Sequence, residues 1–378
     1  MKQKKSKKRG RVRTIAAILA ALLLVCCAAA ALLYRDRLTP DALRGMFAGG
    51  GETDETSEPF TYEVGSGQVF AVSGNRLAVA SPTGIQLLSD KGYTVVREVF
   101  SMDRPAIAVS EKYCVFYDAG GRELRYVNAK NESVRLDMGE TAILSASVND
   151  SGYLTVITEE TGYKAVVTVY DSTLHRVFAW HSGSAYVHAA QVSPNDRTLA
   201  ALCTDTSGGR LQLFTLGSEE PSGSFASAGE LFWDLRWLGR DTVCVLTEER
   251  LIFLDDGAQM TGEYAFADRW LLDYGFGDGF ASVLLGEHRS GGSSLLVTVG
   301  ANGREKSSAE LHQKDVLTLS AGSDRVLTLC ADELTLYTDM LSPLGSTQET
   351  LGAKKALLRR DGKCLLLSAY SAELLNLY

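Results

Sequence analysis

Catalysis and metal binding need particular side chains at particular spacings, and this sequence supplies few of them. Five histidines stand at His175, His181, His188, His288 and His312. None forms H-x-x-x-H or H-E-x-x-H, the spacings that set two imidazoles on one helical face around zinc. The seven cysteines are Cys26, Cys27, Cys114, Cys203, Cys244, Cys330 and Cys364, with no C-x-x-C pair among them. Zinc-ribbon and dithiol redox chemistry therefore have no support. The last five each sit among Val, Leu or Phe, where cysteine acts as a small buried hydrophobe. Serine hydrolysis wants G-x-S-x-G on a strand–turn–helix, and calcium loops want D-x-D-x-D-G; neither pattern occurs. Asp-boxes of the S-x-D-x-G-x-x-W kind are missed by Ser147–Gly152, whose Ser lies one residue too far from Asp150. The four tryptophans, Trp180, Trp233, Trp237 and Trp270, are too few to dock a quinone cofactor in every repeat. The expectation is no metal, no cofactor and no catalytic residue set.

One segment does concentrate binding groups: Leu231-Phe232-Trp233-Asp234-Leu235-Arg236-Trp237. Trp233, Asp234, Arg236 and Trp237 are the candidate ligand-binding residues, because aromatic faces beside paired charges hold sugars or peptides. Read as a strand, period 2 puts Trp233, Leu235 and Trp237 on one face, which equally describes packing between sheets. Asp234 and Arg236 then share the other face and can pair with each other. Glycoside cleavage would need two converging carboxylates, and Asp234 with Glu230 or Asp273 are the residues available.

The elements that position this segment are strands. From Phe60 onward, short apolar runs alternate with Gly, Asn, Asp and Ser turns, and no long amphipathic helix is visible. One hairpin recurs, clearest in AQVSPNDRTLAAL from Ala190. Its turns fall near Gly74, Glu111, Asp150, Asn195, Arg240, Asp278, Ser323 and Asp361, a mean period of 41 residues. A period of 40–45 with four strands per unit marks a β-propeller blade. One unit traces in full as Ala106–Ser110, Cys114–Asp118, Glu123–Asn128 and Ser133–Met138. The last copy has room for three strands, Ala356–Arg359, Lys363–Ala369 and Glu373–Tyr378. Phe60–Val64, ahead of the first copy, can supply the fourth and close the ring. The fold class is thus all-β: an N-terminal transmembrane helix followed by a propeller of eight four-stranded blades, with seven if one hairpin is a decorated loop.

The turn Ser193–Arg197 resembles the S-P-D-G-x-x-L-A hairpin of WD40-like propellers, although the Gly-His and Trp-Asp dipeptides of true WD40 repeats are absent.

The N-terminal region gives the address. Residues 15–33 are 19 consecutive apolar residues, which with Thr14 span roughly 30 Å as a helix, the thickness of a bilayer core. Eight Lys and Arg precede them within residues 1–13, so the positive-inside rule puts the remainder outside the cytoplasm. The domains read as a basic cytoplasmic tail at 1–13, a transmembrane helix at 14–33, a flexible stalk at 34–59 and a propeller at 60–378. A cleaved signal peptide with an A-x-A site at Ala28–Ala31 is the rival reading. The first 33 residues hold eight of the 38 basic side chains and none of the 46 acids. A body that acidic repels phosphate backbones, which argues against nucleic acid.

This layout of tail, helix, stalk and propeller resembles an uncharacterised family of membrane-anchored propeller proteins of Gram-positive bacteria. The resemblance implies an envelope location and assigns no functional residue. The expected function is a protein-interaction or scaffold module at the cell envelope, displayed outside the membrane, with envelope or membrane proteins or wall glycan as partners. The alternative is an extracellular carbohydrate- or peptide-binding protein, or a hydrolase with its site at the propeller channel.

Overall fold

The computed structural model describes residues 59–378, apart from 64, 290–292, 312–314 and 351. The predicted tail, transmembrane helix and all of the stalk but Pro59 lie outside the described residues. Among the described residues no helix is long and apolar enough to cross a membrane. What is described is a ring of eight four-stranded antiparallel sheets.

In each blade the four strands follow one another in sequence from the channel to the circumference. Their innermost strands are Val69–Ser73, Pro105–Val109, Ala142–Val148, Tyr186–Val192, Phe232–Trp237, Trp270–Gly277, Val316–Gly322 and Lys355–Leu358, numbered here as blades 1 to 8. Blade 8 is the exception in connectivity. Its fourth strand is Phe60–Thr61, paired in register Phe60 to Ala372 and Thr61 to Ser371. The ring therefore closes with the N-terminal strand, as the missing fourth strand of the last copy required. Eight blades are present, so no hairpin is a decorated loop.

The middle strands are apolar on both sides because each blade is covered by two neighbours. In Thr242–Thr247, Val243 and Val245 pack toward blade 4 while Cys244 and Leu246 pack toward blade 6. Each of the eight junctions holds its own buried cluster. At blades 8 and 1 it is built from Leu77, Val79, Leu365, Leu367 and Ala372, with Tyr62 filling the seam. Tyr62 stacks edge-on against Phe70 at 5.2 Å, and its hydroxyl donates to the Ser368 carbonyl. The five cysteines from Cys114 to Cys364 lie in second strands and are buried. Burial pushes the Cys203 and Cys364 thiols up to about 12, so neither is a thiolate nucleophile at neutral pH.

The seam at blades 8 and 1 depends on Tyr62 more than on the two-residue strand before it. Tyr62→Ala is expected to cost about 3 kcal/mol and Tyr62→Phe about 1 kcal/mol. Thermal unfolding followed by circular dichroism, with the exposed Val99→Thr as a control near wild type, checks both.

Candidate functional site at the channel mouth

All innermost strands run the same way through the channel, so their first residues gather at one mouth and the following turns at the other. The two mouths differ in chemistry. At the turn end, Arg360 of blade 8 reaches Glu111 of blade 2 at 3.0 Å and Asp278 of blade 6 at 2.5 Å. Neighbouring turns are also joined, Glu111 N donating to Asp150 Oδ1 at 2.7 Å and Asp278 N to the Ser323 carbonyl at 2.7 Å. That mouth is bridged by a polar lattice.

The strand-start mouth carries a set of exposed apolar side chains. In blades 3 to 7 the innermost strand carries a β-bulge near its start, an extra residue that faces no partner on the second strand. The extra residues are Leu144, His188, Trp233, Leu272 and Leu317. Leu144, Trp233 and Leu317 are exposed, and Tyr186, Leu231 and Trp270 add to the same rim. Lys164 lies 4.9 Å above the Tyr186 ring and Arg289 4.0 Å above Trp270, so the rim's aromatic faces carry cations. Between blades 4 and 5 the rim opens into a cleft of about 380 Å³ lined by His188, Thr204, Leu231, Phe232 and Trp233.

The bulge corrects the sequence reading of the candidate segment. Trp233, Leu235 and Trp237 do not share a face, because Trp233 is the inserted residue and the alternation restarts after it. Trp237 is 8% exposed, packs in the cluster between blades 4 and 5, and its Nε1 donates to the Gln191 carbonyl at 3.2 Å. It is a packing residue. Trp233 is 44% exposed at the mouth. Asp234 and Arg236 lie on the side facing blade 6, and Arg236 is exposed.

In blades 5 to 7 the residue after the bulge ties neighbouring blades together. Asp273 Oδ2 accepts from Leu319 N of blade 7 at 2.7 Å, and Thr318 Oγ1 accepts from Ala356 N of blade 8 at 3.2 Å. Asp234 follows the pattern, its Oδ2 accepting from the Tyr274 hydroxyl of blade 6 at 3.0 Å and its Oδ1 from Leu235 N at 2.8 Å. Burial raises the Asp234 carboxyl above its ordinary range, opposed by those two bonds and by the Arg236 and His188 charges. Burial likewise raises Asp273, against its bonds from Leu319 and Tyr274 and the charge of Lys355. His188 Nε2 donates to the Phe232 carbonyl at 2.8 Å, and burial holds its pKa below the usual imidazole value.

Glu230 stands just before the start of the same strand. Burial works against its charge, but a bidentate Arg250 at 2.7 and 3.1 Å, with Thr247 and Ser227, holds it below the usual carboxylate range. Of the three acids that could have served glycoside chemistry, each is already committed to a structural partner. Among the described residues no three His, Cys, Asp or Glu side chains are placed to hold a metal ion. Sequence reasoning missed the rim itself; the signal was an apolar residue breaking period 2 near the start of successive first strands.

Comparison with known proteins fits this architecture. The profile of a family described as "Family of unknown function (DUF5711)" matches residues 55–334. No curated protein matches the sequence. Among solved structures, the C-terminal WD40 domain of Sif2 aligns with a TM-score of 0.56 at 12% identity, covering 84% of this chain and 99% of that one. BamB from Moraxella catarrhalis aligns at 0.50 and 11% identity, covering 83% and 100%. The quinohemoprotein alcohol dehydrogenase ADHIIG from Pseudomonas putida HK5 aligns at 0.54 and 9% identity, covering 84% and 75%. At such identities the likeness establishes the propeller fold alone.

Two measurements separate the roles on this strand. Trp237→Ala is expected to cost about 3–5 kcal/mol in thermal unfolding, while Trp233→Ala stays within about 0.5 kcal/mol of wild type. Because the folded Asp234 carboxyl titrates above its unfolded value, it binds a proton more readily when folded. Its contribution to stability therefore grows as pH falls through the raised value and levels off below the unfolded one, near 3.9. Asp234→Asn should flatten that rise, seen as a smaller advantage of wild type over the variant at pH 7 than at pH 4. Asp234→Ala should cost about 1–3 kcal/mol, since it orphans the Tyr274 hydroxyl.

Proposed function

The chain belongs to the DUF5711 family of unknown function, and from that premise we propose that it is a protein-interaction module: a propeller tethered to the membrane by residues 14–33 and displayed at the cell envelope outside the cytoplasm. The observation that carries this reading is the asymmetry of the two mouths. One is bridged by Arg360 and its acidic partners; the other presents an exposed apolar and aromatic rim. Solvent-facing Leu144, Tyr186, Trp233 and Leu317, at the strand starts of four blades, expose apolar side chains at one end, as binding surfaces do. Aromatic residues of this sort are the anchors of protein interfaces. Tethering would confine that rim near envelope or membrane proteins and raise its effective concentration toward them.

The hydrolase alternative is less well supported, because Asp234 and Asp273 serve as acceptors between blades and Glu230 is held by Arg250. A glycan-binding role keeps one supporting observation, the exposed Trp233 indole on a strand with Asp234 and Arg236.

Chemical cross-linking in intact cells, comparing the full-length protein with a version that retains only residues 1–59, tests the reading. A reproducible envelope or membrane protein captured by the first and lost from the second is the expected outcome. Retention of wall glycan with no protein partner would instead favour the glycan reading.

A further inference from the structure

One ring nitrogen of His188 is committed to the fold and the other is not. Nε2 lies 2.8 Å from the Phe232 carbonyl, and a carbonyl oxygen only accepts, so Nε2 carries the proton. Burial holds the imidazole below its usual pKa, which keeps the ring neutral at pH 7. Nδ1 is then a lone pair in a fixed tautomer, bonded to none of the described residues, and the Thr204 hydroxyl is likewise without a partner among them. Neither atom is sealed from solvent. Both residues line the cleft of about 380 Å³ between blades 4 and 5, whose remaining wall is Leu231, Phe232 and the exposed Trp233. That volume lies at the small end of the range for ligand pockets, roughly 300–1,000 Å³.

Each class of ligand meets this wall differently. A carboxylate would face the Nδ1 lone pair with no cation in the lining, and an ammonium or guanidinium would be desolvated there with no carboxylate in it. A hydrocarbon side chain would strip water from Nδ1 and leave it unbonded. A sugar brings a hydroxyl on most ring carbons, more than one imidazole, one threonine and one indole can satisfy beside Leu231 and Phe232. A phenol matches the wall: its single hydroxyl both donates and accepts, and its flat ring packs on an indole.

We infer that this cleft receives a tyrosine side chain presented by a partner protein, its ring against Trp233 and its hydroxyl donating to His188 Nδ1 and accepting from Thr204. This deepens the reading of the propeller as an interaction module and rests on it. Tyrosine is also a residue type that anchors interfaces, because it brings a large rigid area with few rotamers to fix.

The test is fluorine NMR of the full-length protein in detergent with fluorotryptophan at its four tryptophans. The Trp233 signal is assigned by its loss in Trp233→Phe. The probes are N-acetyltyrosinamide, N-acetylphenylalaninamide, N-acetyllysinamide and methyl glucoside. The tyrosine probe should shift the Trp233 signal saturably and leave that of Trp270 in place. The phenylalanine probe should bind about fivefold more weakly, the worth of one hydrogen bond, and the lysine and sugar probes should leave Trp233 unmoved. Thr204→Val orphans no partner, and the amide of His188→Gln can still donate to the Phe232 carbonyl. Each should narrow the preference for tyrosine over phenylalanine without changing the phenylalanine affinity, with thermal unfolding near wild type. Equal binding of the tyrosine and phenylalanine probes, a Trp233 shift with the sugar alone, or no shift with any probe would overturn the inference. The cross-linking experiment separates the levels. A partner captured equally by wild type and by the Thr204→Val, Trp233→Ala double variant removes the cleft from the interaction and leaves the module reading standing. A wild-type protein that captures no protein partner removes the module reading itself.

Discussion

No blade of this ring can bury its own two faces, and everything else follows from that. A four-stranded sheet whose second and third strands are apolar on both sides is stable only between two neighbours, so the series must close on itself. Closure is enforced twice at every junction. One component is apolar, a buried cluster such as that of Leu235, Trp237, Val243 and Val245 against Leu202 and Leu213. The other is polar and sits near the channel. An innermost strand has a ladder partner on one side only, so its remaining N–H groups need acceptors. Leu319, Ala356 and Leu358 find theirs in the side chains of Asp273, Thr318 and Ser320, each from the preceding blade. Elsewhere it is backbone carbonyls that are satisfied across a junction, by Trp237 Nε1 on Gln191, Asn149 Nδ2 on Ser193 and Arg360 N on Gly74.

That constraint explains what was legible in the sequence. Closure demands a repeated unit of nearly constant length, so the hairpin period reported the blade count, and the incomplete last copy pointed to Phe60 as the closing strand. Burial on both faces removes alternation from the middle strands, which is why Cys114, Cys203, Cys244, Cys330 and Cys364 read correctly as buried residues. Strand edges moved by a residue or so, as in Pro105–Val109 for the predicted Ala106–Ser110, because the final residue of a strand is fixed by its partner's register.

The candidate segment was legible as an innermost strand, and the orientation of its side chains was not. Trp233, Asp234, Arg236 and Trp237 were identified by type, but a bulge is a property of two strands, two residues facing one, and no single strand records it. Without it, period 2 assigns Trp233 to the packed face. With it, Trp233 turns outward, and Asp234 and Arg236 face blade 6. The rim of Leu144, Tyr186 and Leu317 was invisible for a related reason: single apolar residues at strand starts look ordinary until the ring brings them to one mouth.

The bulges also divide labour between adjacent residues, and this bears on what kind of chemistry the channel can do. In blades 5 and 7 the inserted residue is exposed at the mouth while the next one reaches a neighbouring blade, Asp234 to Tyr274 and Thr318 to Ala356, and in blade 6 Asp273 reaches Leu319 while Leu272 packs inward. An acid in the second position is held by donors on both oxygens and cannot approach a glycosidic oxygen without abandoning the ring. Removing the bulge would slip the strand by one residue and turn the clamp away from its partner along with the mouth residue. Stability and presentation are therefore set by one backbone feature. The identity of the inserted residue, Trp in one blade, His or Leu in others, is the part left free to vary with whatever the mouth must hold.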